Sequence, residues 1–326
     1  MKATAEVLNA PRHRRIFSTE QLRNERIELS FLPEFGCHWS RLRLSVKGEW
    51  ADFLKPVPDG DSLIDSPTSH GSYVMAPWSN RIAAGLFEFQ GKRYQLQKNF
   101  RDGTAIHGDV RTRPWSVVDS TADRFEAQLD SRDVPEFNFP FPLRFQQVLE
   151  LEGDRLRVEF TTTNAGDRAA PAGLGFHPFV LRRLTWRDDD VILVLPAEKV
   201  YPAVGCIPTG PAQPVEGSTD LRGLRRLGSP GLDHCFTGLT GREIRIIYRG
   251  SRVEVRFEVD ESFGHAVIYA PNTKDGTPNS FVAVEPVTNA NDGFNLLAKG
   301  WKETGVRVLS PGESWTARWQ ISMGDV

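Results

Sequence analysis

Three cysteines in 326 residues, Cys37, Cys206 and Cys235, are odd in number, far apart and in no C-x-x-C pair. That excludes a disulfide framework and points to reduced, buried thiols in a cytoplasmic protein. No apolar run approaches the roughly 20 residues that a membrane-spanning helix needs. The basic Arg12-His13-Arg14-Arg15 has no apolar segment behind it, which argues against a secretory signal. Charge of one sign is also scarce. Forty Lys and Arg against 42 Asp and Glu leave a formal charge of -2, so nothing drives the chain toward nucleic acid or a membrane surface. The seven histidines contain no H-x-H or H-x-x-x-H pair, so metal-ligand spacing is missing and no metal is expected. Long amphipathic helices, strand–helix–strand alternation and a repeat of fixed period are absent as well.

Short alternating segments are present in number. Ile27 and Leu29, then Leu42, Leu44 and Val46, alternate with polar neighbours and read as strands. Leu149 to Glu152, a Gly153-Asp154 turn, and Leu156, Val158 and Phe160 read as a hairpin. So do Ile244 to Tyr248 and Val253 to Val259 around Arg249-Gly250-Ser251. Val191 to Leu195 and Phe281 to Val284 are short apolar strands, and the last strand carries Trp315, Ala317, Trp319 and Ile321. Residues 1 to 25 read as a leader. Asp52 to Gly71, Asn99 to Gly103 and Pro202 to Pro230 read as loops, Pro135 to Pro142 as an irregular edge, and Asn291 to Lys299 as one short helix. Many strands between turn signals predict an all-β protein, a sandwich or barrel, and no linker divides residues 1–326.

The chemistry concentrates around one hairpin, Leu86 to Phe89 and Lys92 to Leu96 about a Gln90-Gly91 turn. Trp78-Ser79-Asn80-Arg81 precede it and His107-Gly108 follow it, so the ribbon can bring both ends onto one rim. Arg81 offers a planar fork of donors, His107 moves protons near neutral pH, and Trp78 offers a flat apolar face. That set suits a polyhydroxylated ligand such as a sugar. Three more residues stand out by setting. His177 lies in Gly175-Phe176-His177-Pro178-Phe179, where Pro178 biases it to an extended conformation. Glu285 ends an apolar strand, where desolvation raises a carboxylate's pKa and makes it a better base. Asn289, Asn291 and Asn295 follow and would orient that carboxylate or cap turns. Asp233 follows a Pro230-Gly231 turn beside His234. Opening a cyclic hemiacetal needs a base at the anomeric hydroxyl and an acid at the ring oxygen, and a carboxylate with a histidine fills both roles.

Asn80-Arg81-Ile82-Ala83, the Gly91 hairpin, His107-Gly108, Gly175 to Phe179, Leu232-Asp233-His234 and Val284 to Asn289 occur in order. The ordered set resembles the aldose 1-epimerase (galactose mutarotase-like) family over roughly Arg26 to Ser322. The resemblance implies a large antiparallel β-sandwich and cofactor-free interconversion of sugar anomers. It implies Glu285 as base, His177 as acid on the ring oxygen and His107 as its assistant. Arg81 and Asp233, with Asn80 and Trp78 beside Arg81, would bind the sugar. The expected partner is a small sugar, the chain being a monomer or homodimer. Three other readings stay open. Arg111 or Arg113 could meet a phosphate in a hexose-phosphate mutarotase, or be solvated strand positions. A binding module or sensor would leave His177 and Glu285 without a task. A glycosidase would use Asp233 and Glu285 as its two carboxylates and leave both histidines unused.

Overall fold

A computed structural model describes residues 17–185 and 189–326. Period-two alternation decides most of the architecture. In Arg124–Asp130 every second residue is buried, and Leu143–Glu152 buries Leu143, Phe145, Gln147, Leu149 and Leu151 between polar neighbours. These strands belong to an antiparallel eight-stranded sheet ordered Ser116–Ser120, Arg124–Asp130, Leu143–Glu152, Arg155–Asn164, Ser314–Asp325, Val253–Val259, Glu243–Tyr248, Ile192–Val194. A second eight-stranded sheet contains Ala197–Val200, Leu232–Leu239, His265–Ala270, Phe281–Val287, Gly175–Phe176 and Val74–Met75, with Phe179–Leu181 also on Phe281–Val287. A four-stranded sheet is built from Glu20–Arg23, Ile27–Leu32, His38–Val46 and Glu49–Asp52.

One apolar cluster joins all three sheets. Phe176 of the second sheet packs on Trp319 of the first with ring centroids 5.0 Å apart, and Trp39 of the small sheet stacks on the same Trp319 at 5.9 Å. The predicted β-sandwich is therefore observed, with few helices. The α-helices among the described residues, Gly60–Asp65 and Gly293–Ala298, are six residues each, and none is long and apolar enough to cross a membrane.

Several expectations need adjustment. The leader expected over residues 1–25 includes residues 1–16, which lie outside the described residues, but Glu20–Arg23 is a strand paired with Ile27–Leu32. Four residues are too few for periodicity to announce a strand. The loop expected over Asp52 to Gly71 contains the helix Gly60–Asp65, whose start is capped by Asp59 accepting from the Ser62 amide at 2.8 Å. The loop-rich Pro202 to Pro230 contains short strands at Ala203–Val204, Ile207–Pro208 and Gln213–Pro214. The short helix expected within Asn291 to Lys299 is present.

The Leu86–Phe89/Lys92–Gln95 hairpin lies on an aromatic bed. Phe87 is fully buried and meets Tyr94 at 5.2 Å, Phe139 at 5.9 Å and Phe294 at 5.2 Å. Phe87→Ala is expected to lower unfolding free energy by about 3–5 kcal/mol, read as a shifted midpoint in urea denaturation. A shift equivalent to less than about 1 kcal/mol would show that this bed does not anchor the hairpin.

Candidate active site

The strand Phe281–Val287 is buried along its whole length, which requires cover on both faces. Val282 and Val284 enter the main core, whereas Phe281 and Val287 pack in a second cluster with Tyr73, Met75, Phe179, Cys235 and Val267. Glu285 shares the parity of Phe281 and Val287 and so points to the second face. Parity also sets Asp233 and Cys235 apart from Leu232 and Phe236, which face the main core. His234 therefore points away from Asp233, although its Nδ1 accepts the Asp233 amide at 3.1 Å.

Register brings the histidine to the carboxylate. Gly175 pairs with Val287, and Phe179 pairs with Ala283, in a common antiparallel register. His177 falls midway between them, directly opposite Glu285. Pro178, lacking an N–H, interrupts the ladder there, while the His177 amide turns to the Tyr73 carbonyl at 3.0 Å. Cross-strand partners of this kind have neighbouring side chains. His177 Nε2 lies 3.1 Å from Glu285 Oε1, with both side chains almost fully buried. Tyr73 and Phe179 pack against the His177 ring at 4.8 and 4.5 Å, and His107 meets it edge-on at 5.1 Å. Two stacked rings fix the imidazole plane.

Electrostatics favour neutral groups. Burial, reinforced by the Asp233 charge and opposed by Arg81, lifts the Glu285 carboxyl well above its ordinary range. Burial, with help from the Arg111 charge, pushes His177 down to about 3. Burial first, then His177 and Arg111, holds His107 well below its usual value. The raised carboxyl agrees with the expectation for Glu285. The imidazole differs from it, because His177 alone is not a cation at neutral pH. The pair instead lies within proton-transfer reach, Nε2 and Oε1 being 3.1 Å apart.

The flanks of the hairpin do converge. Arg81–Ile82 pairs with Ala105–Ile106, and the His107 amide donates to the Asn80 carbonyl at 2.7 Å. The Arg81 guanidinium is steered by Asp102, from Nε to Oδ2 at 2.8 Å, by the Asn80 amide oxygen at 3.2 Å, and by the Phe100 ring beneath it at 5.3 Å. Gly108 lets the chain pass. Its φ is +67°, and a Cβ there would meet the Ala76 carbonyl oxygen at 2.0 Å. Gly108→Ala is expected to destabilise the protein by at least about 2 kcal/mol and to displace His107. Thermal melts check this, and an unchanged Tm would contradict it.

Asn80, Arg81, His107, His177, Asp233 and Glu285 all line one cleft of about 600 Å³. Trp78 does not join them. It is 1 % exposed in the core, its indole N–H donates to Ala105 at 3.3 Å, and it packs beside Phe139. Burial of its large apolar ring outweighed its place beside polar residues. The cleft's aromatic surface comes from Phe100, Phe179 and Tyr269, and part of its wall from residues 65–69. Sequence reasoning missed Asp102 and these rings. The only signal for Asp102 was its Asp-Gly-Thr turn, where Thr104 donates to it through both amide and hydroxyl.

Asn289, Asn291 and Asn295 do not touch the carboxylate. Asn289 holds Ser79, Asn291 holds the Cys206 carbonyl, and Asn295 ties its helix to the hairpin at Leu86 and Glu88. Arg113 pairs with Asp109 at 2.9 Å, whereas Arg111 is buried and lines the cleft, so neither is a solvated strand position. The three cysteines are free thiols, and among the described residues no cluster of His, Cys, Asp and Glu is arranged to hold a metal.

A protein-family model described as Aldose 1-epimerase matches residues 20–322. The Escherichia coli K12 protein YihR, itself uncharacterized, is 37% identical over 139 residues, covering 42% of this chain and 44% of that protein. That alignment therefore spans less than half of its relative. Galactose mutarotase of Homo sapiens is 26% identical over 325 residues, 90% of each chain. A solved galactose mutarotase-like protein of Clostridium acetobutylicum has a TM-score of 0.81 at 19% identity, covering 94% of this chain and 95% of that one, a likeness of fold.

Proposed function

The chain belongs to the aldose 1-epimerase family, and from that premise we propose that it interconverts the α and β anomers of an aldose by opening and reclosing the ring. The observation that carries the proposal is the buried His177–Glu285 pair at 3.1 Å. O1 and the ring oxygen are both bonded to C1, so an acceptor and a donor one hydrogen-bond length apart can meet them together. Proton transfer from Glu285 to His177 creates the carboxylate and imidazolium that the reaction uses. Glu285 then takes the anomeric proton, the C1–ring oxygen bond breaks, and His177 protonates the departing oxygen. Rotation about C1–C2 presents the other face of the aldehyde, and the same transfers in reverse close the ring. No cofactor takes part.

His107, edge-on to His177, would steady the ring oxygen. Arg81, Asn80 and Asp233 would hold hydroxyls through directional bonds, charge-assisted where the group is ionised. Burial excludes bulk water and strengthens each of these interactions. A binding module gains nothing from a buried proton-transfer pair. A cytoplasmic location belongs to the same reading, supported by the free thiols. Magnetisation exchange between the two anomeric protons, followed by NMR at equilibrium, tests the proposal. It predicts exchange above the uncatalysed rate with configuration at C2 to C5 unchanged. Inversion at any other carbon would replace it with another epimerisation.

A further inference from the structure

Arg111 is 7 % exposed and lines the cleft, yet its Nε and Nη1 find no hydrogen-bond partner among the described residues. Its neighbouring carboxylate is taken, since Asp109 binds Arg113 at 2.9 Å and the Asn138 amide at 3.0 Å. Of the other arginines of the cleft, Arg81 is paired with Asp102, and Arg101 is exposed at the cleft's edge over the Phe100 ring. The Tyr73 hydroxyl, on the ring stacked against His177, is also buried without a partner. The Tyr73 and Asp109 charges favour the ionised form of Arg111 but burial outweighs them, and a buried guanidinium with no ion pair of its own is unfavourable, so its retention at a binding cleft needs a reason.

Position supplies one. The charges of Arg111 and Arg81 both act on His177, His107 and Tyr73, whereas those acting on Glu285 are Asp233 and Arg81. Arg111, in the short turn Val110–Thr112 just after His107, which itself meets His177 edge-on, sits on the histidine side of the pair, whereas Arg81 reaches both sides. With Glu285 at the anomeric oxygen and His177 at the ring oxygen, the next atom beyond the ring oxygen is C5. The substituent on C5 therefore faces Arg111. Resting on the mutarotase reading above, we infer that the substrate is an acidic sugar whose oxyanion, carried on the C5 substituent, is received by Arg111. Carboxylate and phosphate share this chemistry, and Arg111 can meet two oxygens of either at once.

The test compares catalysed anomer exchange for glucose, glucuronate and glucose 6-phosphate, and for the galacto counterparts, each above its own uncatalysed rate. The expected result is kcat/KM about 10²-fold higher for at least one acidic sugar than for its neutral parent, mostly through KM, as expected for a buried charge pair. The favoured acid identifies carboxylate or phosphate as the group. Arg111→Gln should abolish the preference and Arg111→Lys should restore part of it, which separates charge recognition from a structural role. Equal or higher kcat/KM for every neutral sugar overturns this inference and leaves the mutarotase reading intact. So does an acid preference that Arg111→Gln leaves unchanged. Acceleration of none of the sugars overturns both.

Discussion

Glu285→Gln is expected to lower kcat by about 10²–10⁴-fold, the usual contribution of a positioned proton-transfer group. Gln keeps the shape and cannot accept the anomeric proton. The fold should survive with a Tm equal to or above that of the wild type. Burial raises the folded-state pKa of Glu285, so its contribution to stability is full below the unfolded value of a carboxyl and is lost as pH rises through the folded one. At neutral pH a buried carboxyl is therefore a liability for folding, since it must either take up a proton or hold a charge out of water, and a neutral amide removes that cost. Anomer-exchange rates and a thermal melt on the same preparation check both halves. Near-normal turnover in the folded variant would remove Glu285 from the mechanism.

His177→Asn is expected to reduce kcat by at least about 10²-fold. The imidazole packs against two aromatic rings with Nε2 3.1 Å from Glu285, and Asn reproduces neither the packing nor the proton capacity. A second signature follows from the direction of the shift. The His177 pKa is pushed down to about 3 from an ordinary 6.5. Such a group contributes stability above its unfolded pKa, and that stability is lost as pH falls toward the folded one. His38, also pushed down to about 3 by burial, acts in the same window. The wild type should therefore lose stability between about pH 6.5 and 3, and His177→Asn should lose less over that interval. Parallel Tm profiles for the two proteins would contradict the buried neutral imidazole.

How much of this was legible in the sequence differs by kind of information. Strands such as Arg155–Asn164 announced themselves because every second residue is buried, which writes a period of two into the chain. Phe281–Val287 was harder, being buried on both faces, and only its carboxylate near the end of an apolar run gave it away. Arg81 and His107 were found together because a local hairpin joins them. The opposition of His177 and Glu285 was not readable, since it depends on register between segments distant in sequence. Trp78 and Arg111 were misplaced for one reason. The sequence shows neighbours along the chain, but burial depends on neighbours in space. Trp78 thereby became a ligand surface rather than core, and Arg111 became a surface candidate rather than a buried cation.

The central claim is that the His177–Glu285 pair opens a sugar ring. Polarimetric relaxation of freshly dissolved α-D-glucose, α-D-galactose and their uronates tests it most directly, with wild type and Glu285→Gln side by side. The account predicts faster relaxation to the same final rotation for at least one of these sugars with wild type, and the uncatalysed rate with Glu285→Gln. Wild-type relaxation indistinguishable from buffer for every sugar, or equal acceleration by both proteins, would contradict it.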